Sequence, residues 1–177
     1  MNESGGYSPK DLHFGKDGQS KLISGITKLS EAVKSTLGPM GNTVLIESPN
    51  HTRGITVTKD GVTVAKSIQL LDPVENLAVQ MMKEAADRTA SEAGDGTTTA
   101  IVLTESLVKK GVELIGPKDN KTEILRELVS ITEEIILNLK KQAEPVTDKK
   151  LFDVATISSN NDPEIGRIIA DTYKAVG

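Results

Sequence analysis

Asp95-Gly96-Thr97-Thr98-Thr99 runs without a break into the apolar stretch Ala100 to Val112. The passage puts a carboxylate, a flexible glycine and three hydroxyls where a helix begins. A helix N-terminus presents unpaired backbone N–H groups and a partial positive charge, so it suits a phosphate. Asp95 is poorly placed to touch phosphate itself, because the charges repel. It is well placed to hold a Mg²⁺ that neutralises a phosphate, since that ion takes carboxylate and phosphate oxygens together. The same residues also read as an ordinary helix cap, because Asp and Thr are both good N-cap residues. Taken alone, the five positions leave both readings open.

Outward from this passage the pattern is mainly helical. Leu22, Ile26, Leu29, Val33 and Leu37 recur at helical spacing, and Gly38-Pro39 stops that helix. Thr43 to Glu47 and Ile55 to Thr58 are β-branched runs separated by Ser48 to Gly54, which reads as an antiparallel hairpin with a long tip. Gly61 makes the next turn, and Val62 to Ala65 reads as a third short strand. Pro73 opens a helix to about Glu92, with Leu77, Met81, Met82, Ala85, Thr89 and Ala93 as its stripe and Gly94 as its stop. Thr97 starts the next helix, with Ile101, Leu107 and Val108 inward, and Gly111 to Asn120 is a connector. Lys121 to Gln142 carries two adjacent apolar rows, a width that implies more than one packing neighbour. A short helix from about Asp148 to Thr156 leads to the polar turn Ser158 to Asn161. Asp162-Pro163 is then an N-cap followed by proline at the first helical position.

Composition removes several function classes. The chain has 177 residues and a net charge of −4 with both signs interspersed, which argues against non-specific nucleic-acid binding. Its four aromatic residues, Tyr7, Phe14, Phe152 and Tyr173, are too few for a base-stacking platform. Cysteine is absent, so disulfides, thiolate nucleophiles and cysteine metal sites are excluded; this fits a cytoplasmic location. His13 and His51 are the two histidines. Neither lies near the other or near a carboxylate cluster in the sequence, and both read as exposed polar residues. No apolar run reaches the ~20 residues of a membrane span. Met1 to Pro9 is small and polar, and reads as a disordered arm rather than a signal peptide. A Walker A motif is absent, as is a G-x-G-x-x-G after a strand, so P-loop and dinucleotide folds are disfavoured.

Three segments, Thr36-Leu37-Gly38-Pro39-Met40-Gly41, Lys59-Asp60-Gly61 and Ala93 to Ala100, resemble in order and approximate spacing the nucleotide site of the GroEL-type (group I) chaperonins. Ala155-Thr156-Ile157-Ser158-Ser159-Asn160-Asn161-Asp162 is similar to a fourth family segment. The resemblance runs from about Lys10 to the end of the sequence. It implies the equatorial-domain fold, a mainly α (α+β) helical bundle with a small antiparallel hairpin. Residues 10–143 correspond to the N-terminal half of the equatorial domain and 144–177 to the start of the intermediate domain. Family members are considerably longer, and the apical domain and C-terminal equatorial half have no counterpart in these residues.

The resemblance also implies roles. Thr36, Leu37, Gly38 and Pro39 line the adenosine and α-phosphate side. K⁺ is held partly by backbone carbonyls near Thr36 and Lys59. Asp60, with Lys59 and Gly61 beside it, orders the attacking water near the γ-phosphate. Asp95 coordinates Mg²⁺, Gly96 allows close approach, and Thr97, Thr98 and Thr99 hold the β- and γ-phosphates. Ile157 and Ser158 contact the ribose or base edge. A further catalytic aspartate of the family lies on a segment beyond Gly177. The implied function is an ATP-dependent chaperonin subunit that hydrolyses ATP to drive folding of non-native polypeptides in a homo-oligomeric, heptameric ring, with a possible co-chaperonin. The alternative is a truncated subunit that binds nucleotide or joins a ring without turnover. This sequence departs from the family pattern at Met40 and Asn42-Thr43, which replace common basic residues. It also departs in the longer hairpin tip and at Gly116-Pro117-Lys118-Asp119, so ring contacts differ in detail.

Overall fold

The computed structural model describes residues 10–38, 40–47 and 54–176. The arm 1–9, Pro39, the hairpin tip 48–53 with His51, and Gly177 lie outside the described residues, and with them the expectation of a disordered arm. The described elements are α1 (Gly15–Lys34), β1 (Val44–Glu47), β2 (Ile55–Thr58), α2 (Gly61–Ser67), α3 (Pro73–Ala93), α4 (Thr97–Leu114), α5 (Lys121–Gln142), α6 (Asp148–Ser158) and α7 (Pro163–Val176). Their contacts divide the chain into two compact units, residues 1–119 and 120–177.

In the first unit α1, α3 and α4 pack on one another, and α2 lies against all three. The core is Leu29 and Val33 of α1, Val64 and Ala65 of α2, Val79, Met82 and Ala86 of α3, and Ile101 of α4. It contains no aromatic residue, so its helices must approach closely to fill space. Gly25 shows how closely: a Cβ there would overlap the Glu75 carbonyl of α3. The inward face of α3 differs from the expected stripe. Ala78, Val79, Met82 and Ala86 are buried, whereas Leu77 and Met81 point outward, 59% and 66% exposed. Ala78, Val79 and Ala86 fill the inward face beside Met82, which is buried as expected, and Leu77 and Met81 are displaced to the rim. On α4, Ile101 is buried while Leu107 is exposed, and the helix continues four residues into the stretch expected as a connector.

The hairpin forms as expected. β1 and β2 are antiparallel, with Val44 opposite Thr58 and Glu47 opposite Ile55. Val44 and Ile46 face the core and Leu45 and Glu47 face out, the alternation of a strand with one covered face. The third strand does not exist: residues 61–67 form α2. Val62 to Ala65 is too short for periodicity to separate strand from helix. The deciding residue is Asp60, whose side chain caps the helix by accepting the Val62 and Thr63 N–H groups. Farther along, Asp72 does the same for α3.

The second unit contains α5, α6 and α7. The helices α6 and α7 pack together, and Gly166 permits it, since a Cβ there would overlap Thr156. The turn between them uses Asn160 and Asn161 in the left-handed region, at φ 59° and 62°, which asparagine tolerates better than most residues. Asp162 then caps α7 through the Glu164 and Ile165 N–H groups. α5 has the expected bounds and two apolar rows, but it buries no residue among those described. No helix among the described residues is long and apolar enough to cross a membrane.

Candidate nucleotide site

Three of the singled-out segments meet at one glycine. Gly61, the first residue of α2, is buried. A Cβ at this position would overlap Thr98 Oγ1 on α4 and come within 3.3 Å of Thr36 Oγ1, just after α1. Residues 36, 61 and 98 are far apart in sequence and are brought into contact by the packing of α2 between α1 and α4. Only glycine allows it, because any side chain would displace one of the two hydroxyls.

Each segment is shaped locally by glycine and side-chain caps. The chain leaves α1 through Thr36, whose N–H and Oγ1 both donate to the Val33 carbonyl, at 3.0 and 2.8 Å. Gly38 follows at φ 79°, a conformation that costs a residue with a Cβ. The chain then folds back so closely that a Cβ on Gly41 would overlap the Thr36 carbonyl oxygen. Thr36 is buried, whereas Leu37 and Gly38 are exposed; Pro39 lies outside the described residues.

Gly94 ends α3 in the left-handed region and Gly96 precedes α4 at φ 88°. The expectation that Asp95 or a threonine caps α4 is overturned. The N-cap is Gly96, with no side-chain cap bond, and among the described residues Asp95 accepts only its neighbour Gly96 N–H, at 2.6 Å. No side chain among those described therefore covers the first N–H groups of α4. Thr97 is buried, Thr98 half-buried and Thr99 exposed. Asp95 is exposed, and the described residues contain no group of three potential metal-ligating side chains. The donor set fits Mg²⁺ only as a nucleotide complex, with Asp95 as one carboxylate and phosphate supplying further oxygens.

Asp60 has a different environment. Oδ1 accepts the Val62 N–H at 3.2 Å, and Oδ2 accepts the Thr63 N–H at 3.0 Å and the Thr63 hydroxyl at 2.6 Å. Partial burial pushes its pKa up, but the Thr63 hydroxyl, the two N–H groups and the Lys66 charge outweigh that and hold it below the usual aspartate range. The group is thus an ionised acceptor with lone-pair capacity left. It can orient a water, but it is too weakly basic to be a good proton abstractor at neutral pH. Lys59 is exposed beside it.

Ile157 and Ser158 are the last two residues of α6, in the second unit, and both are exposed. The reading of His13 as unconnected to carboxylates needs correction. Its Nε2 lies 3.0 Å from Asp11 and its Nδ1 3.4 Å from Asp17, and these hydrogen bonds, Asp11 first, raise its pKa. His13 is one turn from Asp17 on the approach to α1, a spacing that was visible in the sequence.

One buried cluster carries no motif at all. Glu105, 2% exposed on α4, accepts from Ser30 Oγ at 2.7 Å, from Lys34 Nζ, and from Lys109 Nζ at 2.7 Å. Burial pushes its pKa up, but the hydrogen bonds from Lys109, Lys34 and Ser30 and the Lys34 charge bring it down to about 2. The available signal was a charge four residues after Ile101 and three before Val108, on the inward side of an apolar helix.

With this geometry in hand, comparisons place the chain among known proteins. Residues 29–177 match the model of the TCP-1/cpn60 chaperonin family. The chaperonin gp146 from the bacteriophage EL 2 (Pseudomonas aeruginosa), crystallised in the presence of ATP-BeFx, is similar in structure, with a TM-score of 0.78 and 34% sequence identity. The alignment covers 90% of this chain and 28% of that one. A second crystal form of the same protein aligns equally well.

Proposed function

Because the chain belongs to the TCP-1/cpn60 chaperonin family, we propose that it forms the phosphate-binding part of an ATP-hydrolysing chaperonin subunit. The observation that carries this reading is the convergence of Thr36, Gly61 and Thr98, which brings three separate loops to one point beside the N-terminus of α4. An anion there gains the α4 N–H groups and the helix dipole. Thr97, Thr98 and Thr99 hold phosphate oxygens, Leu37 and Gly38 lie along the nucleoside side, and family likeness gives Pro39 the same role. Asp95 would hold Mg²⁺, and the ion would supply charge neutralisation for the phosphates when bound. Gly96 has no side chain to obstruct the approach. Asp60 orients the attacking water as an ionised acceptor. Phosphoryl transfer needs positioning and charge compensation more than covalent help, and these residues supply both.

The finer parts of the reading rest on family likeness: Ile157 and Ser158 at the ribose or base, K⁺ on the carbonyls of Thr36 and Lys59, and residues 144–177 as the start of an intermediate domain. So do a cytoplasmic, heptameric ring, a co-chaperonin and the folding of non-native polypeptides as the output of turnover. The chain spans under a third of the phage chaperonin it matches, so these belong to the whole protein. The test is calorimetric titration of ATP in Mg²⁺ and K⁺, beside steady-state phosphate release, on the full-length protein and its Asp95→Ala variant. Turnover that falls ~10²-fold or more in the variant supports the metal role; release near wild type refutes it. ATP binding without turnover in the parent protein would favour a non-hydrolysing subunit.

A further inference from the structure

Glu105 lies two turns along α4 from Thr98, and the groups it holds lie at the end of α1. Ser30 is 0% exposed, and Lys34 is the last residue of α1. The next residues are Ser35 and Thr36. Thr36 is tied back to Val33 by two hydrogen bonds, so it moves with the last turn of α1. The carboxylate therefore bridges the two helices whose ends bring Thr36 and Thr98 together at Gly61. Its ligands are directional and charged, unlike the aliphatic contacts around them, and so they specify one height of α1 against α4 where Leu29, Val33 and Ile101 would tolerate slippage. Apolar packing of the same volume often replaces a buried ion network at no loss of stability, so what the network adds over such packing is a defined register. Lys109, on α4 itself, neutralises the carboxylate but cannot set the register between helices; Ser30 and Lys34 can.

We propose that Glu105 is a positioning residue for the nucleotide site, acting through Ser30 and Lys34 to fix the distance between the Thr36 turn and the N-terminus of α4. The inference rests on the nucleotide reading above. Its test uses the full-length protein with Glu105→Gln, Lys34→Met and the double variant, and Val79→Ala as a control that weakens the same core without touching the bridge. Melting temperature, nucleotide affinity and single-turnover hydrolysis are measured on each. Lys34 is exposed, so Lys34→Met should fold even if Glu105→Gln does not.

The expected result is a loss of about tenfold in single-turnover rate for Glu105→Gln and Lys34→Met, a double variant no worse than either single one, and a Val79→Ala rate near wild type at comparable melting temperature. Equal rate losses in Val79→Ala and Glu105→Gln at matched melting temperature would reduce the bridge to plain stability and overturn the proposal. If Glu105→Gln does not fold, a wild-type rate in Lys34→Met overturns it as well. Wild-type protein that binds no ATP defeats the underlying nucleotide reading instead, an outcome distinct from both.

Discussion

Asp60 has an observed role and a proposed one, and substitutions can separate them. It caps α2 and, in the proposed reaction, orients water. Asn caps a helix about as well as Asp but carries no charge, whereas Ala loses the cap at about 1 kcal/mol. Here Asn keeps one acceptor for the Thr63 N–H and loses the other at Val62, so Asp60→Asn is expected to melt below wild type but above Asp60→Ala, to keep its ATP affinity, and to hydrolyse ATP about tenfold or more slowly. Asp60→Ala should show the same slow hydrolysis with a lower melting temperature. Calorimetry beside single-turnover kinetics checks this, and a large affinity loss at unchanged rate would make Asp60 a binding residue instead. Gly61→Ala addresses the neighbouring contact. Gly61 opens a helix, so Ala there gains up to about 1 kcal/mol of helix propensity, while its Cβ forces Thr98 to turn away. The expected outcome is stability within about 1 kcal/mol of wild type and ATP affinity reduced about tenfold or more. Unchanged affinity would show that the Thr98 hydroxyl is not used.

At the scale of elements, the α1–α4 contact should be sensitive to acid. Glu105 titrates at about 2 in the fold, against an ordinary value of 4.5. Because the folded value is the lower one, its stabilising contribution is complete above about pH 4.5 and is lost as pH falls toward 2. Glu105→Gln removes that dependence. The variant is expected to be roughly 2 kcal/mol less stable at neutral pH, since Lys34 and Lys109 are half-exposed and can recover water. The gap to wild type should narrow as the pH drops from about 5 to about 3. Urea denaturation at each pH measures it; a constant gap would mean that the carboxylate charge contributes nothing to the fold. The burial pattern of α3 belongs to the same scale. The expected stripe put Leu77 and Met81 inward with Met82, whereas Ala78, Val79, Met82 and Ala86 are buried, on a helix that Gly25 lets α1 approach closely at Glu75.

At the scale of the whole chain, apolar surface outweighs what the described packing covers. α5 buries none of Leu125, Leu128, Val129, Ile131, Ile135 and Ile136. In the first unit a groove lined by Leu22, Ile26, Met81, Val108 and Val112 lies open between α1, α3 and α4. Apolar patches of this kind draw partners or cause association. The 177-residue polypeptide produced alone is expected to bind a hydrophobic dye and to elute as a broad, concentration-dependent distribution. Replacing Leu128 and Ile135 with Glu should narrow that distribution. A monodisperse monomer that binds no dye would contradict the patch argument.

The sequence by itself determined most helices and the hairpin, because helical periodicity, Gly-Pro and Asp-Pro punctuation and β-branched runs are local signals carried by neighbouring residues. It also pointed to Asp60, Gly61, Asp95 and Thr97 to Thr99 through a family pattern. Only the tertiary structure decided that residues 61–67 coil into α2, since a seven-residue segment has too few turns for periodicity and depends on its cap and its neighbours. Only packing could show that Gly61 touches both Thr36 and Thr98. Glu105 was likewise invisible as a bridge, because a glutamate four residues before a lysine looks like any surface pair until α1 supplies Ser30 and Lys34. Contacts between residues far apart in sequence depend on how helices approach one another, and that is set by the summed shape of the core rather than by any one stretch of chain.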